Sequence, residues 1–166
     1  GGWTRVSGNP TPDSPWHDLL RQELRGIVRE AESLGVWGAT TSALANNLDD
    51  KDGGLRAKLK AATTALGTSY DAVILIAGAN DHLRLSGSSM ATATFREGIV
   101  KQLGTMQDVI REAGAKCIML GVLETATRGD KAVVAKTNRR IRAKLGADLY
   151  VETALLLPSR DKHLFS

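Results

Sequence analysis

Two runs in this chain, AVILIA at 72–77 and CIMLGV at 117–122, are apolar at consecutive positions rather than at alternate ones. A strand with one wet face alternates, whereas a strand apolar throughout asks for cover on both faces, the condition of a parallel sheet wrapped by helices. The segment between them supplies such a helix. Ser88 or Ser89 can cap it, Glu112 lies near its end, and Phe95, Ile99, Leu103, Met106 and Ile110 share one face at steps of three and four. Gly114 should close it, Asp130 opens another helix to about Leu145, and ADLYVETALLL holds a last strand. Apolar strands alternating with amphipathic helices predict an α/β fold of three layers, α/β/α, with a parallel sheet in the middle.

The first half of the chain is less regular. GGWTRVSGNPTPDSP reads as a loop, Asp13 or Ser14 can cap a helix with Pro15 at its first position, and Trp16, Leu19, Leu20 and Leu24 mark an apolar face that Gly26 should end. A short strand is expected at 27–33, followed by a glycine turn at 35–38. Thr40 or Thr41 can cap a short helix through Leu48, and the polar stretch NNLDDKDGG precedes a second helix near 55–66.

At 166 residues and 42% hydrophobic, the chain has the size of one domain with a sizeable core, so a single domain over 1–166 is expected. The net charge of +4 is too mild to mark a nucleic-acid binder, and 4% aromatics are too few for base-stacking platforms. The basic cluster Arg139, Arg140, Arg142 and Lys144 reads as one solvated helix face. The lone Cys117 lies in an apolar strand, where a packed thiol is expected. Three dispersed histidines and one cysteine give no metal-ligand spacing, and no cofactor is implied. No stretch reaches the length of a membrane span, so a soluble domain is expected, with the cytoplasm favoured among compartments.

In open parallel sheets, ligands bind at the carboxyl ends of strands, where loops form a crevice and helix N-termini present N–H groups. Two loops fall there: Gly35-Val36-Trp37-Gly38-Ala39-Thr40-Thr41 and Gly78-Ala79-Asn80-Asp81. The glycines permit close backbone approach, and Asn80 carries an amide that can donate to a developing oxyanion. The bland readings are a tight turn at Gly38 needing positive φ, and a loop-capping amide at Asn80. Asp81 is expected to bond loop N–H groups, and His82 either to line the pocket or, the commoner outcome, to be an exposed loop histidine.

With these residues in view, the chain resembles the SGNH hydrolases, the esterases and lipases also called GDSL-type. SLGVWGATT resembles their second block, with Gly38 at the position whose backbone N–H serves the oxyanion hole. GAND resembles their third block, Gly-x-Asn-Asp, with Asn80 at the side-chain donor. PWHDLL resembles the helix after their nucleophile loop. The resemblance implies a flavodoxin-like strand order and a carboxylic-ester hydrolase acting by serine acyl transfer on a small-molecule ester.

Two blocks depart from the family pattern. No Gly-Asp-Ser occurs, and Asp13-Ser14 reads as a helix cap, so the nucleophilic serine is not in this sequence. The family's Asp-x-x-His is matched imperfectly by Asp161 and His163 in RDKHLFS. Either His163 is a displaced base with Asp161 as its partner, or HLFS leads into an Asp-x-x-His beyond Ser166. Because the first strand of a flavodoxin-like sheet is central, its loss strands two rows of backbone polar groups. The expectation is a domain incomplete at both ends, its nucleophile strand supplied from residues outside the sequence or by a separate complementing segment. Glu124 and Thr125, at the end of the 117–122 strand, are placed to touch substrate. Two other readings compete: a non-catalytic binding module for a small ester or glycan, and a flavodoxin-like nucleotide binder. Neither glycine loop has a phosphate-cradling Gly-x-Gly-x-x-Gly or Gly-Lys-Ser/Thr pattern, which counts against the last.

Overall fold

A computed structural model describes residues 22–28, 31, 34–36, 38–51, 54–84, 93–123, 131–146 and 150–153. The chain divides into two compact units, 1–37 and 38–166. In the first unit, the Leu24 carbonyl accepts from the N–H of Ile27 at 3.0 Å and of Val28 at 2.9 Å, and Gly26 takes a left-handed φ of +85°. The strand expected at 27–33 is absent at its described positions 27, 28 and 31. The helical turn at Leu24 curls the chain there, and Ile27 is 81% exposed, so no apolar face forms to hold a strand against a core.

The second unit is mixed helix and strand. In chain order it runs α1 (Thr41–Asn46), α2 (Leu55–Leu66), β1 (Ala72–Leu75), α3 (Ala79–Arg84), α4 (Ala93–Glu112), β2 (Lys116–Leu120), α5 (Lys131–Leu145) and β3 (Tyr150–Val151). The three described strands form a parallel sheet in the order β1-β2-β3, with Val73 opposite Cys117 and Met119 opposite Tyr150. Parallel pairing of successive strands requires a crossover, and α4 and α5 are the helices in those connections. The ladder extends one step past β2, where the Gly121 N–H donates to the Val151 carbonyl at 2.9 Å.

The core is organised on α4. Ile99, Val100, Leu103, Met106, Val109 and Ile110 are buried along it, and it packs against α1, α2, α5 and β2. Each such side chain contributes about 1.5–3 kcal/mol when fully buried. The polar Gln107 inside this stripe donates to the Leu145 carbonyl at 3.4 Å, satisfying an acceptor that the end of α5 leaves without an intrahelical partner. Arg139, Arg140, Arg142 and Lys144 of α5 are exposed as expected, and Arg140 pairs with Glu97 of α4.

Strand β1 departs from expectation. Its ladder stops at Leu75, two residues short of the apolar run; Val73, Ile74 and Leu75 are half-buried, and Ile76 is 37% exposed. Among the described residues β1 is paired on one side only, by β2, and an edge strand has half the cover of a central one. Strand β2 meets the expectation better, with Cys117 and Met119 fully enclosed.

Where β1 ends, Gly78 takes φ +107°, and a Cβ placed there would lie 2.8 Å from Val122 Cγ2. Gly78→Ala therefore incurs both backbone strain and a clash, and is expected to cost roughly 2–4 kcal/mol in urea unfolding. A change below about 0.5 kcal/mol would show that this corner relaxes freely. Burial pushes the Cys117 thiol up to about 11, from an ordinary value of 9.0. With the folded value above the unfolded one, this contribution to stability is complete below pH 9 and fades as the pH rises toward 11. At pH 8 Cys117 is expected to react with a thiol reagent only after denaturant is added; full labelling of the folded protein would contradict its enclosure.

Candidate functional site

The loop before α1 and the first turn of α3 meet at the carboxyl end of β1, and three residues join them. Asn80 Nδ2 donates to the Ala39 carbonyl at 3.0 Å. Asp81, 8% exposed, accepts from the Thr41 N–H at 2.9 Å and from the Thr41 hydroxyl at 2.7 Å. Thr41 Oγ1 is also within hydrogen-bond distance of the Gln102 side-chain amide on α4. A hydroxyl carries one proton and Asp81 is an acceptor only, so the arrangement is satisfied when the Gln102 NH2 faces Thr41.

Local sequence explains why both loops arrive prepared. Thr40 is the N-cap of α1 and its hydroxyl accepts from the Ala43 N–H at 3.2 Å. The Thr41 N–H, one of the first-turn donors with no intrahelical partner, goes to Asp81 instead. A carboxylate there also complements the positive end of the helix. Gly38 takes a left-handed φ of +71°, the conformation its tight-turn reading requires, and nothing lies within 4 Å of a Cβ built on it. The Gly78-Ala79-Asn80-Asp81 segment, expected as a loop, instead starts α3 directly, with the His82 N–H bonded to the Gly78 carbonyl at 3.3 Å. Asn80 and Asp81 are thus held on a helical turn, and Asp81 bonds the first N–H of α1 where loop N–H groups were expected.

His82 overturns its expectation. It is 6% exposed, with Nδ1 at 2.8 Å from the Gly78 carbonyl and Nε2 at 3.2 Å from Thr137 Oγ1, and its ring meets Phe95 edge-on at 5.4 Å. The carbonyl only accepts, so Nδ1 carries the proton. The Thr137 hydroxyl also donates to the Val133 carbonyl at 3.0 Å, so its proton is shared between that carbonyl and His82 Nε2, and His82 sits buried between α3 and α5. The turn becoming a helix is what rotates it inward.

A second tie lies beyond β2. Asn138 Oδ1 accepts from the Val122 N–H at 2.7 Å while its Nδ2 donates to the Val122 carbonyl at 3.1 Å, a side-chain amide acting as a strand partner. Thr153 Oγ1 donates to the same carbonyl at 3.3 Å. The sequence reading points to neither Asn138 nor Gln102, and offers Thr41 only as a helix cap. A signal existed for Asn138, which falls between Val134 and Ile141 on the apolar face of α5; a polar residue at such a position asks for a buried partner. Tyr150, beside this end of the sheet, has its hydroxyl raised above the ordinary value by burial and by Glu152, whose Oε2 lies 3.3 Å away.

The sequence-based candidates divide accordingly. Gly38 and Asn80 stand on neighbouring segments of one locus, joined through Ala39. Asp161 and His163 lie outside the described residues, as do Asp13, Ser14, Glu124 and Thr125. Among the described residues no group of three His, Cys, Asp or Glu side chains could hold a metal ion, and no helix is long and apolar enough to cross a membrane.

No family model, curated protein or solved structure matches the chain. Together Gly38, Asn80 and Asp81 join a loop bearing a left-handed glycine to a helical turn bearing a side-chain amide, held by a buried carboxylate.

Removing that carboxylate leaves the Thr41 N–H and hydroxyl without their acceptor. Asp81→Ala is expected to destabilise by roughly 1.5–3 kcal/mol, and Thr41→Val by less because the N–H bond survives. Urea unfolding of both variants checks this; equal losses would place the weight on the hydroxyl rather than the backbone donor.

Proposed function

We propose that this chain is a carboxylic-ester hydrolase of SGNH type, acting by serine acyl transfer with an oxyanion hole from Gly38 and Asn80. The single observation that carries the reading is the Asn80–Ala39 hydrogen bond, which orients the Asn80 amide beside the Gly38 turn. One amide hydrogen is spent on Ala39; the reading gives the second to the oxyanion, alongside the Gly38 N–H. A parallel sheet with the order β1-β2-β3 supports placing both loops at the strand ends of a flavodoxin-like, three-layer domain.

In this mechanism a histidine takes the proton of a serine hydroxyl, the oxygen attacks the ester carbonyl, and the negative charge develops on the carbonyl oxygen. Donors fixed beforehand need no reorganisation as that charge appears, which is the value of tethering Asn80. The reading requires a serine that no described residue is assigned, and His163 with Asp161 remains its candidate base pair within the sequence. A non-catalytic binding module for a small ester or glycan is favoured by one observation, the lack of any Gly-Asp-Ser in the sequence.

Turnover of short p-nitrophenyl esters by the full-length protein separates the two. A hydrolase is expected to be labelled by a serine-directed phosphonate, and Asn80→Ala is expected to lower kcat by about 100-fold to 1000-fold with a much smaller change in KM. Thermal unfolding of the variant controls for loss of the Ala39 tether. Binding without labelling or turnover would favour the module instead.

A further inference from the structure

A concavity of about 330 Å³ opens between α1 and α4, bounded by Thr40 and Ser42 on one side and by Phe95, Gly98 and Ile99 on the other. Asp81 and Gln102 also line it, so it adjoins the Asn80–Ala39 junction through the next residue of each segment.

Gly98 is the residue that nothing else explains. It stands inside the 20-residue helix α4, where glycine is less favourable than alanine because it loses more backbone freedom on folding. Its φ is not left-handed, and no neighbouring atom lies within 4 Å of a Cβ built on it. Gly104 of the same helix differs, since a Cβ there would meet Leu145 Cδ2 at 3.3 Å. Neither backbone conformation nor close packing calls for glycine at position 98. What its missing side chain does is keep space in the concavity.

We infer that this concavity is a binding site for a short, uncharged, mainly apolar group, the acyl chain of an ester, and that Gly98 sets the length it admits. The half-buried ring of Phe95 beside the bare backbone of Gly98 suits a hydrocarbon chain, and the hydroxyls of Thr40 and Ser42 suit an ester end. The Asp81 carboxylate in the lining disfavours an anionic ligand. Naming the ligand an acyl chain rests on the hydrolase reading; the existence of the site and the role of Gly98 do not.

The test measures binding of methyl hexanoate to the full-length protein by calorimetry and by amide NMR shifts, for wild type, Gly98→Ala and Gly98→Leu. Saturable binding is expected in the wild type, with shifts at Thr40, Ser42 and Ile99, and Gly98→Leu should weaken it at least 10-fold. Gly98→Ala should raise Tm by about 1–4 °C, showing that a side chain is tolerated by the fold. Should Gly98→Leu fail to fold, Gly98→Val and Phe95→Ala provide the opposing narrowing and widening of the same space. No saturable binding in the wild type, or binding unchanged by Gly98→Leu in a folded protein, overturns the inference. Binding that depends on position 98 without ester turnover supports the site and rejects the hydrolase reading. Turnover with an acyl-length preference indifferent to position 98 does the reverse.

Discussion

The buried Asp81 carboxylate is the constraint on which the strand-end region depends. A charge with so little exposure is tolerable only when donors surround it, and Thr41 supplies two, its N–H and its hydroxyl. Meeting that requirement brings the N-terminus of α1 against the first turn of α3, across forty residues of sequence. Asn80 then reaches Ala39 because its neighbour is already fixed. Thr41 in turn lies against Gln102, which extends the same polar cluster to α4, the helix that organises the core.

Elsewhere at this end of the sheet, side chains take over where the regular ladders stop. Asn138 substitutes for a strand at Val122, and His82 bridges the Gly78 carbonyl and Thr137. Each tie uses a polar side chain buried in an otherwise apolar setting, and each joins a helix to the segment following a strand. The loops that carry the proposed chemistry are therefore set on a rigid base. Preorganisation of this kind is what a site stabilising developing charge needs, and it equally suits a site that only binds.

The apolar stripe of α4 and the apolar run of β2 were legible in the sequence, because local periodicity is dictated by which face must be buried. Thr40 was legible as one of two caps, and α2 at its observed bounds. Three features were not. The helical start at Ala79–Arg84 was hidden because Gly78, Asn80 and Asp81 are all turn formers by local preference. The burial of His82 followed from that helix and could not precede it. The shortness of β1 was hidden because an apolar run states a demand for cover without saying whether the cover is present.

By itself, then, the sequence determined the α/β character, the core face of α4, the packed thiol at Cys117 and the two loops worth watching. These are one-dimensional properties, settled by spacing and by the chemistry of single residues. Only the tertiary structure decided that Asp81 would hold Thr41, that Asn80 would face Ala39, and that the glycine at position 98 would border open space. Those pairings join residues far apart in the chain, and no local preference of either partner encodes the meeting; it arises when buried polar groups must find one another as the helices pack.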